Sequence, residues 1–210
     1  MRAFAAVCIV GAALAAAATA APSVTVTIAA SAPTVAYGGP LTLTGQVSTK
    51  KANQRIVVEA TECGSTKATK VATVQTAANG LYTVAVKPTL GTSYRASFKN
   101  NHSGALAITV KPSLVLTKTA RGSFTANVTA GQALTGKFVL FQRYKKLRKR
   151  WVQVKRLALA TAVAGPTKPT MITSVSFKSR LARGTRVRMF ISKAQAAPCY
   201  LNAASKSLRA

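Results

Sequence analysis

The chain has 210 residues, 49% of them hydrophobic and 15% charged, and its 30 Lys and Arg face only 2 acidic residues, for a net charge of +28. That apolar content separates it from disordered basic tails and is enough for a packed core. Glu59 and Glu62 are the only carboxylate side chains, Asp is absent and His102 is the only imidazole, so most acid-base, nucleophilic and metal chemistry is excluded before any motif is considered.

In chain order, Met1-Arg2 is a minimal positive start, Ala3 to Ala18 is a small and apolar run, and Ala18-Thr19-Ala20 fits a small-residue cleavage pattern. This predicts a secretory signal peptide over residues 1–20. An N-terminal anchor is the weaker reading, because the Ala-rich run is marginal for the roughly 20 residues that span a bilayer. Cys8 departs with the signal, and no later segment is long and apolar enough to form a span, so the expected product is secreted and extracellular, or associated with a cell wall by charge. Cys63 and Cys199 remain as an even pair, which in an exported chain reads as a disulfide joining the two halves. Two separate buried thiols, or bridges between molecules, are the alternatives.

From residue 21 onward the apolar residues recur with period two in short runs between turn residues, which predicts an all-β fold. Val24, Val26 and Ile28 share one face, as do Leu41, Leu43, Gly45 and Val47. Tyr82, Val84 and Val86 follow, then Tyr94, Ala96 and Phe98, and then Leu106, Ile108 and Val110. Between Val71–Gln75 and Leu81–Val86, the segment Ala77-Ala78-Asn79-Gly80 predicts a hairpin turn, since Asn and Gly tolerate positive φ. About seven strands are expected over 21–111, the size of an immunoglobulin-like sandwich.

Pro112 cannot donate to a ladder and marks the expected joint. A second series over 112–210 runs through Leu114/Leu116, Phe124/Ala126/Val128, Phe138 to Phe141, Val152/Val154, Val175/Phe177, Val187/Met189/Ile191 and Leu208. Gly39–Val47 lines up with Gly122–Val128, and Gly91–Phe98 with Gly184–Phe190, which suggests a duplicated domain. The stretch Ala158 to Thr170, rich in Ala, Thr, Gly and Pro, is the expected place for an inserted loop.

Ala36-Tyr-Gly-Gly-Pro-Leu-Thr-Leu-Thr-Gly45, Asn79-Gly-Leu-Tyr-Thr-Val-Ala-Val-Lys-Pro88 and Thr92-Ser-Tyr-Arg-Ala96 resemble the bacterial immunoglobulin-like repeats of secreted actinobacterial proteins. The second half is similar to the companion domain that often follows, through Gly136–Arg143, Arg150–Val154 and Gly184–Arg188. The resemblance implies two tandem immunoglobulin-like β-sandwiches over most of residues 23–209. Its bearing on function is general, because such modules serve as spacers, adhesion units and wall-associated domains alike.

Glu59 and Glu62, three residues apart in a strand, point to opposite faces and cannot flank one glycosidic bond, and they read instead as strand-end charges near Arg55 or Lys67. His102 lies in the polar turn Lys99–Gly104, with no Asp to orient it and no nucleophile motif nearby. The peptidoglycan transpeptidase domain that sometimes follows such repeats has no counterpart here. Two Glu cannot supply a calcium site. Cys63, Cys199 and His102 are zinc-ligand types without zinc-ligand spacing. A non-enzyme without cofactor or metal is the expectation.

The conspicuous constellation is cationic. Arg143, Lys145, Lys146, Arg148, Lys149, Arg150, Lys155 and Arg156 crowd one short stretch with no acid among them. Flanking strands Lys137–Gln142 and Trp151–Leu157 predict a hairpin whose tip projects cations, with Tyr144 and Trp151 placed to stack on a sugar, a base or a neighbouring Arg. Arg180, Arg183, Arg186 and Arg188 extend the patch if their strand joins the same sheet. A solvated loop is the bland reading. The unbalanced charge of the whole chain favours attraction of anions over about a Debye length, ~8 Å at physiological salt. The leading expectation is a binding module for the anionic cell envelope or another extracellular polyanion. A spacer or adhesion module that binds another protein is the contrasting reading. Nucleic acid is a third, weakened by the lack of a regular aromatic platform.

Overall fold

A computed structural model describes residues 23–210. The expected signal peptide, with its cut after Ala20 and with Cys8, lies outside the described residues. The chain folds into two β-sandwiches. The first contains β1 (Ala29–Ala30), β2 (Thr34–Ala36), β3 (Leu41–Gln46), β4 (Arg55–Glu62), β5 (Thr69–Gln75), β6 (Leu81–Val86), β7 (Thr92–Phe98), β8 (Asn101–His102) and β9 (Leu106–Lys111). One sheet has the order β1-β3-β6 and the other β2-β9-β7-β4-β5, with β8 beside β7. The leading segment is shared between the sheets, crossing at Ser31–Pro33 so that β2 runs parallel to β9. This two-layer, immunoglobulin-like arrangement follows from strict alternation. In β7, Thr92, Tyr94, Ala96 and Phe98 are buried and Ser93, Arg95 and Ser97 face outward. Leu43, Val47, Ile56, Val58 and Ala96 are fully enclosed in the core between the layers.

Gly45 shows why one core-facing position of β3 carries no side chain. It lies opposite Tyr82 in register. The Tyr82 ring and the Thr27 carbonyl occupy the space a Cβ would need, and the Tyr82 hydroxyl donates to that carbonyl across the glycine. The expected hairpin at Ala77–Gly80 takes a different form. Asn79 and Gly80 do adopt positive φ, at 62° and 70°, but β5 pairs with β4 in one sheet and β6 with β3 in the other. The turn is an arch between layers, anchored where the buried Thr76 accepts at its carbonyl from the Asn53 N–H and donates its own N–H to Gln54.

The second sandwich contains β10 (Ser113–Ala120), β11 (Ser123–Ala130), β12 (Phe138–Lys145), β13 (Arg150–Ala158), β14 (Thr161–Ala164), β15 (Met171–Lys178), β16 (Arg186–Ile191), β17 (Ala203–Ala204) and β18 (Leu208–Arg209), with a short α1 (Lys193–Ala196). Its sheets are β10-β11-β15-β14 and β13-β12-β16-β17, with β18 beside β16. Phe124, Phe141 and Phe177 pack with centroids 4.9–5.6 Å apart at its centre. The segments aligned by sequence occupy equivalent places. β3 and β11 each lie between the first strand and a later strand of their sheet, and β7 lies between β4 and β9 as β16 lies between β12 and the closing strands β17 and β18. The stretch Ala158–Thr170 is not a loop insertion throughout. Thr161–Ala164 forms the edge strand β14 against β15, because Ala162 and Val163 can extend a ladder that the following Gly165-Pro166 ends.

A clasp joins the sandwiches. Cys63 and Cys199 form a disulfide with Cα atoms 5.4 Å apart. Beside it the Cys63 N–H donates to the Gly91 carbonyl at 2.8 Å and the Gly91 N–H to the Cys199 carbonyl at 3.0 Å. The Tyr200 hydroxyl donates to Thr89 O at 2.8 Å and accepts from the Gly131 N–H at 2.6 Å. On the other side Tyr37 Oη donates to Thr170 Oγ1 at 2.9 Å.

Candidate polyanion-binding site

Strand direction decides where the cations gather. In the second sandwich β10, β12 and β15 leave the junction and β11, β13 and β16 return to it. The turns β10–β11, β12–β13 and β15–β16 therefore lie together at the far pole. Lys118 and Arg121 lie in or beside the first of these turns, Lys145 to Arg150 in or beside the second, and Lys178, Arg180, Arg183 and Arg186 in or beside the third, with Arg209 beside Arg186 in register. Twenty of the 30 Lys and Arg follow Pro112, and neither Glu does. No carboxylate side chain offsets this pole, so its field adds over the whole end of the molecule. Two hollows open there. One of about 350 Å³ is lined by Lys118, Arg121, Phe124 and Arg183. The other, about 290 Å³, is lined by Tyr144, Lys146, Arg183, Arg186 and Arg209.

The basic hairpin itself is longer than expected from sequence. Its strands reach Lys145 and resume at Arg150, so Arg143, Lys145 and Arg150 are strand residues and only residues 146–149 form the tip. The N–H of Lys149, at φ 45°, donates to the Lys146 carbonyl and closes that turn. Pairing also divides the cations between two faces. Lys145 is opposite Arg150 and Arg143 opposite Val152, whereas Tyr144 is opposite Trp151 on the other side. The two aromatic rings therefore do not share a face with Arg143, Lys145 or Arg150.

A β-bulge then changes the parity of β13. Phe141 pairs with Lys155 and Gln142 with Gln153, leaving Val154 without an opposite residue. Val154 packs on the core. Lys155 turns inward at the sheet edge, where its ammonium donates to the Lys178 carbonyl, and Arg156 turns outward over the Phe138 ring at 3.8 Å. Arg186 and Arg188 do join this face, since β16 pairs with β12 and sets Gln142 opposite Arg188. Arg188 lies 4.3 Å from the Trp151 centroid and its Nε donates to Gln142 Oε1 at 2.9 Å. Burial draws its pKa below the ordinary value, and a guanidinium stays protonated regardless. Arg186 lies 5.5 Å from the Tyr144 centroid. Sequence reasoning named these residues but could not assign the faces of Lys155 and Arg156, because the single extra residue at Val154 decides them.

No family model matches the sequence, and no curated protein matches it. Solved structures do. One, described as a marsupial T cell receptor, aligns over 88% of this chain and 100% of its own, at 9% identity and a TM-score of 0.33.

The remaining candidates are dispersed. Glu59 faces Arg95 and Lys70, rather than Arg55 or Lys67, and Glu62 faces Thr92 on the opposite side of β4. His102 Nδ1 is 2.8 Å from Ser97 Oγ, while Cys63 and Cys199 are committed to each other. Among the described residues no cluster of three metal-ligand side chains occurs, and no helix is long and apolar enough to cross a membrane.

Proposed function

We propose that this chain is a non-catalytic, secreted binding module, of the bacterial immunoglobulin-like repeat kind, whose far pole holds an anionic cell-envelope polymer or another extracellular polyanion. The observation that carries this reading is the convergence of three cationic turns at one end of the second sandwich without a single carboxylate side chain. The disulfide supports an oxidising compartment. A spacer that binds another protein draws instead on the clasped junction and on the half-exposed Val115 and Val163 of the sheet-edge strands β10 and β14.

The test is retention of the chain from residue 21 on isolated cell wall, on duplex DNA and on an acidic polysaccharide across a salt series. Each neutralised phosphate contributes about −0.9 to the log-log salt slope on duplex DNA, and other polymers follow the same trend. Replacing Lys146, Arg148 and Lys149 by Ser should flatten that slope and leave the melting temperature unchanged, because exposed loop cations contribute little to packing. Retention on none of the three by the parent would refute the polyanion reading and favour the spacer.

A further inference from the structure

The outer face of the β13-β12-β16 sheet differs in kind from the pole beside it. Its rows run across the strands. Trp151 and Tyr144 stand near Arg186, Gln153 and Gln142 beside Arg188, and Arg156 and Leu140 beside Phe190. Every cation in these rows is Arg, and each lies against an aromatic ring, whereas the pole mixes Lys and Arg. An exposed Lys is a point charge that serves any anion. A guanidinium over a ring and tied by a hydrogen bond, as Arg188 is to Gln142, is a restrained fork, which selects planar, bidentate anions. The Nε proton of Arg188 is already committed to Gln142, so its two Nη groups are the donors left for a ligand.

We infer that this face is a subsite for a carboxylate-bearing glycan, with the Trp151–Tyr144 pair stacking on a sugar ring, the Arg188 and Arg186 forks taking carboxylates, and the Gln142–Gln153 row bonding hydroxyls. The inference rests on the polyanion reading and gives it a ligand class. Three features of the face match three features of a uronic-acid chain. Apolar ring faces suit the C–H face of a pyranose. Amides that both donate and accept suit its hydroxyls. Preorganised forks suit its acid groups. A purely phosphate-tracking surface needs only the last. The face also continues past Phe190 into a cleft of about 590 Å³ between the sandwiches, where Arg188, Lys111 and Lys206 lie together, so a chain of several sugars has a cationic path to follow.

Calorimetric titration of the chain from residue 21 with oligogalacturonate, with its methyl ester and with duplex DNA tests this. Trp151→Ala and Arg188→Lys should each weaken oligogalacturonate binding about tenfold, equivalent to about 1.4 kcal/mol, and leave DNA binding within twofold of the parent. The methyl ester should bind weakly to all proteins. Arg188→Lys keeps the charge, so it carries the test should Trp151→Ala fail to fold, and Trp151→Phe should restore binding. Unchanged oligogalacturonate affinity in both variants, with affinity lost in the tip variant, would overturn this subsite and leave the polyanion reading standing. Equal losses for DNA and glycan would overturn it in favour of a nucleic-acid platform. A parent that binds none of the polyanions would remove both readings.

Discussion

Replacing Cys63 and Cys199 together by Ala should be strongly destabilising. The bridge spans 136 residues of sequence, and the chain-entropy model assigns a loop of that length about 5 kcal/mol at 25 °C. The clasp does not depend on sulfur alone. The bonds between Cys63, Gly91 and Cys199 are backbone ones and survive the substitutions, and Tyr200 still reaches Thr89 and Gly131. At about 1 kcal/mol each, these should keep the sandwiches docked in the native state. The loss therefore falls on the unfolded state, which gains the freedom of an open chain. For a chain of this size 1 kcal/mol corresponds to about 2–4 °C, so the double variant should melt about 10–20 °C below the parent. Circular dichroism melts of the parent, of the parent with reductant and of the double variant measure this, with mass spectrometry confirming the thiol state. A double variant that melts within about 2 °C of the parent would refute the reasoning. It would mean that the two halves unfold as separate units and the bridge restrains neither.

Gly45→Ala should cost about 2–4 kcal/mol, because the added methyl displaces Tyr82 from the core and breaks its hydroxyl bond to Thr27. A urea titration reads the loss, and an unchanged midpoint would mean that Tyr82 shifts without penalty. Burial pushes the Tyr82, Tyr94 and Tyr200 phenols up to about 12 from an ordinary 10.0. Between those values the folded state holds protons that the unfolded state has released, so stability should fall as pH rises from 10 to 12 and should not respond to these groups below 10. Tyrosinate absorbance should show three late-titrating phenols, and single Tyr→Phe variants should each remove one. Titration of all three near 10 would contradict their burial.

Much of this fold was legible because burial with period two leaves a direct trace. Leu41 and Leu43, or Tyr94, Ala96 and Phe98, could face only one way. The cysteine pairing was legible as one cysteine in each half of the chain. The arch at Asn79-Gly80 was not, since positive φ reverses the chain in either case and the pairing of β6 with β3 rather than β5 is a long-range choice. β14 was hidden because four small residues beside Gly165-Pro166 read as a loop until β15 offers them an edge. At the candidate site the cations were plain in the sequence, but the company they keep was not. Alternation counted through Trp151 would set Lys155 outward and Arg156 inward, and the bulge at Val154 reverses both. The cationic pole escaped notice for a different reason. Its residues come from three separate turns, and only the up-and-down course of the strands brings them to one end.

That uneven placement of charge gives the molecule a direction. With the excess of cations gathered in the second sandwich and the only two carboxylate side chains in the first, the chain carries a permanent electric moment from one sandwich toward the other. Near a negatively charged surface such a body feels a torque before it feels a contact.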